Sequence, residues 1–249
     1  MRDCYDNVQL SFDQVRIRHF PECKRPTIQN RITKLKKAKL IRSQRVGVVI
    51  YQGKQKHIGV VYQLTGTGLA VLRDCDPQDR FREKPLLINT VSLPHDLALT
   101  DVIDRLRGYL PEHEIVHGRV HFGAPPEQSR VPDAIAMRVS DRKHDVAIEL
   151  EYTAKSDKRY RQIITQYRIN SQYTKIIYVC SSHAIAAKIK AVITGLKRPL
   201  RGTNQVTSKF YFVTLDELLR GQAPVVISNG NENLLGPQGQ NKIDKGEFK

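Results

Sequence analysis

Several things are scarce in this sequence. It has no tryptophan, two methionines and four cysteines in 249 residues. The cysteines, Cys4, Cys23, Cys75 and Cys180, form no CxxC pair, which argues against a zinc finger. Four scattered thiols in an intracellular chain read as free cysteines rather than a disulfide frame. Long apolar runs are missing too. The longest, Val46–Tyr51, is interrupted by Gly47 and falls far short of a membrane span. The opening MRDCYDNVQL is polar and lacks the apolar core of a signal peptide, so a soluble, cytoplasmic protein is expected. Acidic residues are few at the front. Residues 1–60 hold 14 Lys and Arg against Asp3, Asp6, Asp13 and Glu22, a net +10 of the whole chain's +16. Such a patch implies a polyanionic partner, most often nucleic acid.

What is present begins with a compact basic segment. Ser11 is a candidate N-cap for a short helix. Pro26-Thr27 opens a stronger one reaching about Ala38, with Ile28, Ile32 and Leu35 on one face. Its other face carries Gln29, Asn30, Arg31, Thr33, Lys34 and Lys37, amide and cationic groups suited to base edges and phosphates. Val46–Tyr51 and Ile58–Leu64 then read as strands around a polar tip that includes Lys54 and Lys56. Thr65-Gly66-Thr67-Gly68 leads into a closing helix. The order is that of a winged helix-turn-helix over residues 1–73, with the second helix in the major groove and the hairpin tip on the backbone or minor groove of double-stranded DNA. A polar, proline-broken linker spans 74–84. A second domain spans 85–228, and the tail 229–249 is expected to be disordered.

The second domain starts with a helix from about Leu93 to Arg107. Apolar runs at Glu114–Phe122, Val131–Val139 and Asp145–Tyr152 read as strands. A helix over Ser156–Arg168, a strand at Lys175–Cys180, a helix at Ala184–Leu196, a strand at Phe210–Val213 and a short helix at Leu215–Arg220 complete it. The expected fold class is α/β (α+β). Alternation puts Glu149 and Glu151 on one strand face and Val146, Ile148, Leu150 and Tyr152 on the other. A hairpin of this length brings Asp133 beside Glu149. Three carboxylates that close stay ionised only around a cation, and all-oxygen ligation suits Mg2+ or Mn2+. Asp133, Glu149 and Glu151 are therefore the candidate metal ligands. The alternative is an exposed face paired with Lys or Arg. His113, His117 and His121 lie four residues apart, too spread along a strand for one metal, since a strand rises ~3.3 Å per residue. Tyr160 and Tyr167 read as the packing face of their helix.

Pro132-Asp133 followed by Glu149-Leu150-Glu151 resembles the PD-(D/E)xK nuclease core, with Glu151 where the lysine usually stands and Lys155 as a possible substitute. The winged helix, the stretch His95-Asp96-Leu97-Ala98-Leu99-Thr100-Asp101 and this motif together resemble the MobC-type relaxase and replication-relaxation families over about residues 1–215. That resemblance implies a bacterial protein of plasmids or integrative elements that binds an origin of transfer and nicks one strand. Asp133, Glu149, Glu151 and Lys155 would be catalytic, with the Leu150 carbonyl a further ligand and Lys155 and Arg159 on phosphates. Relaxosome or coupling proteins are the implied partners. The competing reading is a DNA-binding regulator or replication accessory protein without chemistry.

Overall fold

A computed structural model describes residues 1–51, 54–77, 91–122, 130–141, 144–196, 209–220, 227–228 and 233–235. The chain opens with α1 (Arg2–Asp6) and β1 (Leu10–Ser11). Ser11 then caps α2 (Phe12–His19) reciprocally. Gln14 N–H donates to Ser11 Oγ at 3.2 Å, and Ser11 N–H donates to Gln14 Oε1 at 3.0 Å. In α3 (Arg25–Lys37), Pro26 sits in the first turn, where its missing N–H costs nothing. Ile28 and Ile32 are buried with Phe12, Val15, Leu64 and Leu69 in a small core of their own.

The strands β2 (Ile41–Tyr51) and β3 (Lys54–Leu64) are longer than their apolar runs, pairing from Ile41↔Leu64 to Tyr51↔Lys54. Lys54 therefore belongs to the ladder rather than to a loop. Backbone pairing continues through polar residues once the ladder is seeded, and Arg42 Nε reaches Gln63 Oε1 across it at 2.9 Å. With β1 they form a sheet of order β1-β3-β2. Thr65 caps α4 (Gly66–Cys75), which extends past the expected break at residue 74. Residues 78–84 of the expected linker lie outside the described residues.

The remaining elements are α5 (Leu93–Arg107), β4 (His113–His117), α6 (Gly118–Phe122), β5 (Ala134–Arg138), β6 (His144–Glu151), α7 (Asp157–Ile169), β7 (Lys175–Cys180), α8 (His183–Gly195), β8 (Phe210–Thr214), α9 (Leu215–Arg220), β9 (Ile227–Ser228) and β10 (Asn233–Leu235). They build a seven-stranded sheet of order β10-β9-β8-β7-β6-β5-β4, parallel at β6/β7 and β7/β8 and antiparallel elsewhere. The fold is α+β. Helices α5 and α9 cover one face over Val146, Ile148, Leu150, Ile177 and Val179. Helices α7 and α8 cover the other over Ala147, Ile176, Tyr178, Phe210 and Phe212. Among the described residues no helix is long and apolar enough to cross a membrane.

Two further expectations fail here. The strand read over Glu114–Phe122 stops at His117, and the chain turns into α6. The reason is local: the His117 ring accepts the Arg119 N–H at 3.2 Å, satisfying a free donor at the helix start, and Gly118 N–H bonds to Asp133 O at 2.8 Å. His121 is thus on a helix, not in line with His113 and His117. In the tail assigned to disorder, Asn233–Leu235 pairs with β9; its other residues lie outside the described ones.

The first segment is docked on the second. Val61 is fully buried in the core under α5, and Val46, Val49 and Ile58 pack against it, so this face of the hairpin is committed to protein. A polar seam reinforces the contact. Gln14 Nε2 donates to Leu97 O and to Asp101 Oδ1, both at 2.8 Å. Arg18 ion-pairs with Asp104 and, at 3.1 Å, with Asp3.

Gly118 marks the tightest point next to the acidic strand end. A Cβ there would lie 1.9 Å from Pro132 O. We expect Gly118→Ala to push Pro132-Asp133 away and to lower stability by about 1–3 kcal/mol in urea unfolding, the usual cost of overpacking.

Candidate functional site

The β5/β6 ladder places Asp133. Ala134 pairs with Ile148, so one step further sets Asp133 against Glu149. Asp133 precedes the strand, and its Oδ2 accepts the Leu150 N–H at 2.8 Å, extending the ladder with a side chain. Glu149 and Glu151 leave β6 on the α7/α8 face, each 1 % exposed. Alternation predicted that shared face. The structure brings the three acids to one end of β6, where Asp133 bears electrostatically on both glutamates.

Each acid meets its own cation. Arg130 grips Glu149 with two donors, Nε to Oε1 at 3.0 Å and Nη2 to Oε2, and its guanidinium lies 5.8 Å from the Tyr167 ring centre. The Tyr167 hydroxyl donates to Glu149 Oε1 as well. Lys155 Nζ pairs with Glu151 Oε2, and the Lys155 N–H donates to Tyr160 Oη at 3.1 Å. Tyr160 and Tyr167 are indeed the packing face of α7, with a polar duty added. His95 Nε2 lies 3.3 Å from Asp133 Oδ2 and 3.2 Å from Leu150 O. Among the described residues no three His, Cys, Asp or Glu side chains stand ready to hold one metal ion. Each acid's oxygens are instead engaged by one of these cations. One atom is left over: Glu151 Oε1 is buried and has no hydrogen-bond partner among the described residues.

Protonation follows from this packing. Burial drives Glu149 up to about 7, reinforced by Asp133 and opposed by Arg130. Burial also raises Glu151 against the pull of Lys155. Asp133 goes the other way: burial would raise it, but the His95 charge and hydrogen bond hold it below its ordinary value. Burial would lower His95, yet Asp133 and Asp96 lift it to about 10.

Apart from Arg159, the residues expected to contact DNA are separate from this cluster in the chain. Gln29, Asn30, Arg31, Thr33, Lys34 and Lys37 are all exposed on α3, although the Arg31 guanidinium leans 5.6 Å from the Phe20 ring centre. Lys56 is exposed on β3; the Lys54 side chain lies outside the described ones. Arg159 is exposed on the first turn of α7, just beyond Lys155. Sequence reasoning missed Arg130 and gave His95 and Tyr167 no polar role. Arg130 had a signal, a lone cation three residues ahead of Asp133.

The chain is thus an α+β protein with an exposed basic helix face joined to a sheet with a buried acidic strand end. The profile of the replication-relaxation family matches residues 2–178, and the chain belongs to that family. Membership gives it a role in replication, relaxation or mobilisation, processes that act on DNA. No curated protein and no solved structure matches the chain.

His117 offers a stability test of the buried polar region. Burial pushes it down to about 4, against the pull of Asp96 and Asp133 and with the help of Arg119 and His95. It is neutral in the fold and protonated in the unfolded chain between its ordinary 6.5 and about 4, so its contribution is intact above 6.5 and is lost as pH falls through that window. Glu149 acts oppositely, so the measurement is a difference. From pH 7 to pH 4, wild type should lose up to roughly 3 kcal/mol relative to His117→Gln in urea titrations.

Proposed function

We propose that the protein binds a specific double-stranded DNA site, an origin of transfer on a plasmid or integrative element, and nicks one strand there with a divalent metal ion. On this reading residues 1–73 form a winged helix whose α3 enters the major groove, and residues 85–228 form a PD-(D/E)xK nuclease-like domain. The observation that carries it is the meeting of Asp133, Glu149 and Glu151 at one strand end with Lys155 four residues on, and with Glu151 Oε1 buried and without a hydrogen-bond partner among the described residues. An oxygen-only donor set fits a hard cation, Mg2+ or Mn2+. Asp133, Glu149, Glu151 and the Leu150 carbonyl would hold it once Arg130 leaves Glu149. Such an ion lowers the pKa of bound water and stabilises the leaving oxygen in phosphodiester cleavage. Glu151 orients the attacking water, and Lys155 and Arg159 contact phosphates beside the scissile bond.

The second reading is a DNA-binding regulator or relaxosome accessory protein that performs no chemistry. The ion pairs of Arg130, Lys155 and His95 favour it, because each acid is already neutralised. Supercoiled DNA carrying the cognate origin separates the two. An open-circle product in Mg2+ or Mn2+, suppressed by EDTA and lost in Glu149→Ala without loss of DNA binding, supports nicking. Shifted but uncut DNA supports the regulator, and a linear product would indicate a double-strand nuclease.

The α3 face makes its own prediction. Lys34→Ala and Lys37→Ala should each weaken binding uniformly across sequences and reduce the slope of log K against log salt by about 1. Asn30→Ala should instead relax base preference, by about 1–3 kcal/mol at one position, in competition assays with mutated sites.

A further inference from the structure

The polar seam beneath α5 ends on the acidic cluster, and the function above does not use it. At its centre is Asp96, 2 % exposed. Its Oδ2 accepts from Gln9 Nε2 at 3.2 Å, from Ser92 Oγ at 3.1 Å and from Arg119 Nη1 at 3.1 Å. Gln9 is fully buried and comes from the first segment, next to β1. The other oxygen, Oδ1, faces two imidazoles: His95 Nδ1 at 3.7 Å and His117 Nε2 at 4.0 Å. The His117 Nε2 atom has no hydrogen-bond partner among the described residues. His95 is the outlet of the seam. Its Nε2 reaches Asp133 Oδ2 and Leu150 O together, and the same Asp133 oxygen accepts the Leu150 N–H.

One imidazole thus holds a carboxylate on the approach to β5 and a carbonyl on β6, two of the oxygens assigned above to the metal. We propose that His95 is a positioning residue for this site, oriented by Asp96 and, through Gln9, anchored to the DNA-binding segment. The inference rests on the metal-dependent reading. A carboxylate held from behind by an oriented ring has little freedom left to lose when a ligand arrives, which is how outer partners of metal ligands act. The contacts make Asp96 common to both segments: Gln9 donates to it at 3.2 Å from one side, and the His95 ring faces it at 3.7 Å on the other. Core packing alone would not need the His95 ring to span two strands at their acidic end.

The test uses the full chain and the variants His95→Ala, His95→Gln, Asp96→Asn and Asp133→Asn. DNA affinity is read by fluorescence anisotropy in EDTA, Mn2+ affinity by calorimetry, and the state of the His95 ring by its 15N shifts. We expect His95→Ala to lose about tenfold or more in Mn2+ affinity with unchanged DNA affinity. His95→Gln, whose amide can still donate toward Asp133, should recover most of that loss. The His95 ring shifts should move in Asp96→Asn. Wild-type Mn2+ affinity in His95→Ala overturns the proposal, and so does equal impairment in His95→Ala and His95→Gln. Should wild type take up no Mn2+ and leave supercoiled DNA intact, the nicking reading fails by itself. The ring shifts then decide: movement in both Asp96→Asn and Asp133→Asn supports the positioning chain, and unchanged shifts overturn it.

Discussion

Negative charge buried at the end of β6 is the constraint around which the larger sheet is organised. Glu149 and Glu151 project into the face covered by α7 and α8, where Tyr160, Tyr167 and Tyr178 are also buried. An unpaired carboxylate there would be prohibitive, and removing one partner of a buried pair costs about 3–5 kcal/mol. The chain therefore delivers Arg130 from the segment before β5 and Lys155 from the turn before α7. Tyr167 adds a hydroxyl from the last turn of that helix. The position of α7 and the approach to β5 are both tied to this neutralisation. The same pairing sets a condition on chemistry: whatever enters the site must replace the Arg130 charge on Glu149.

A second polar arrangement joins the two halves of the chain. Gln9, Gln14 and Arg18 all end on α5, and the apolar side of the β2/β3 hairpin lies against the core beneath it. Gln14 serves twice, closing the cap of α2 with its Oε1 and bonding Leu97 O with its Nε2. Helix α3 keeps its polar face exposed because burial is supplied by Ile28 and Ile32 on the opposite side. The exposed basic face of α3 and the acidic strand end thus belong to segments in direct contact.

Much of this was legible in the sequence. Lys175–Cys180 and Leu215–Arg220 were read to the residue, since a short β-branched run and a capped amphipathic turn leave little choice. The face shared by Glu149 and Glu151 followed from strand alternation alone. The strand through Val120 was misread because GRVHF is apolar enough for either state; a side-chain cap from His117 and the approach of Gly118 to Pro132 decided for helix. The pairing of Arg130 with Glu149 was not legible for a different reason. The two lie nineteen residues apart across a hairpin, and no local period marks such a pair.

The sequence by itself determined the basic front, most of the helix and strand order, and the three acids at the ends of neighbouring strands, because composition and periodicity are properties of nearby residues. Tertiary structure alone decided which cation neutralises each acid, that the hairpin is pressed onto α5, and that His95 stands between Asp96 and Asp133. Those outcomes depend on desolvation and reach between distant segments, and neither quantity exists until the chain has folded.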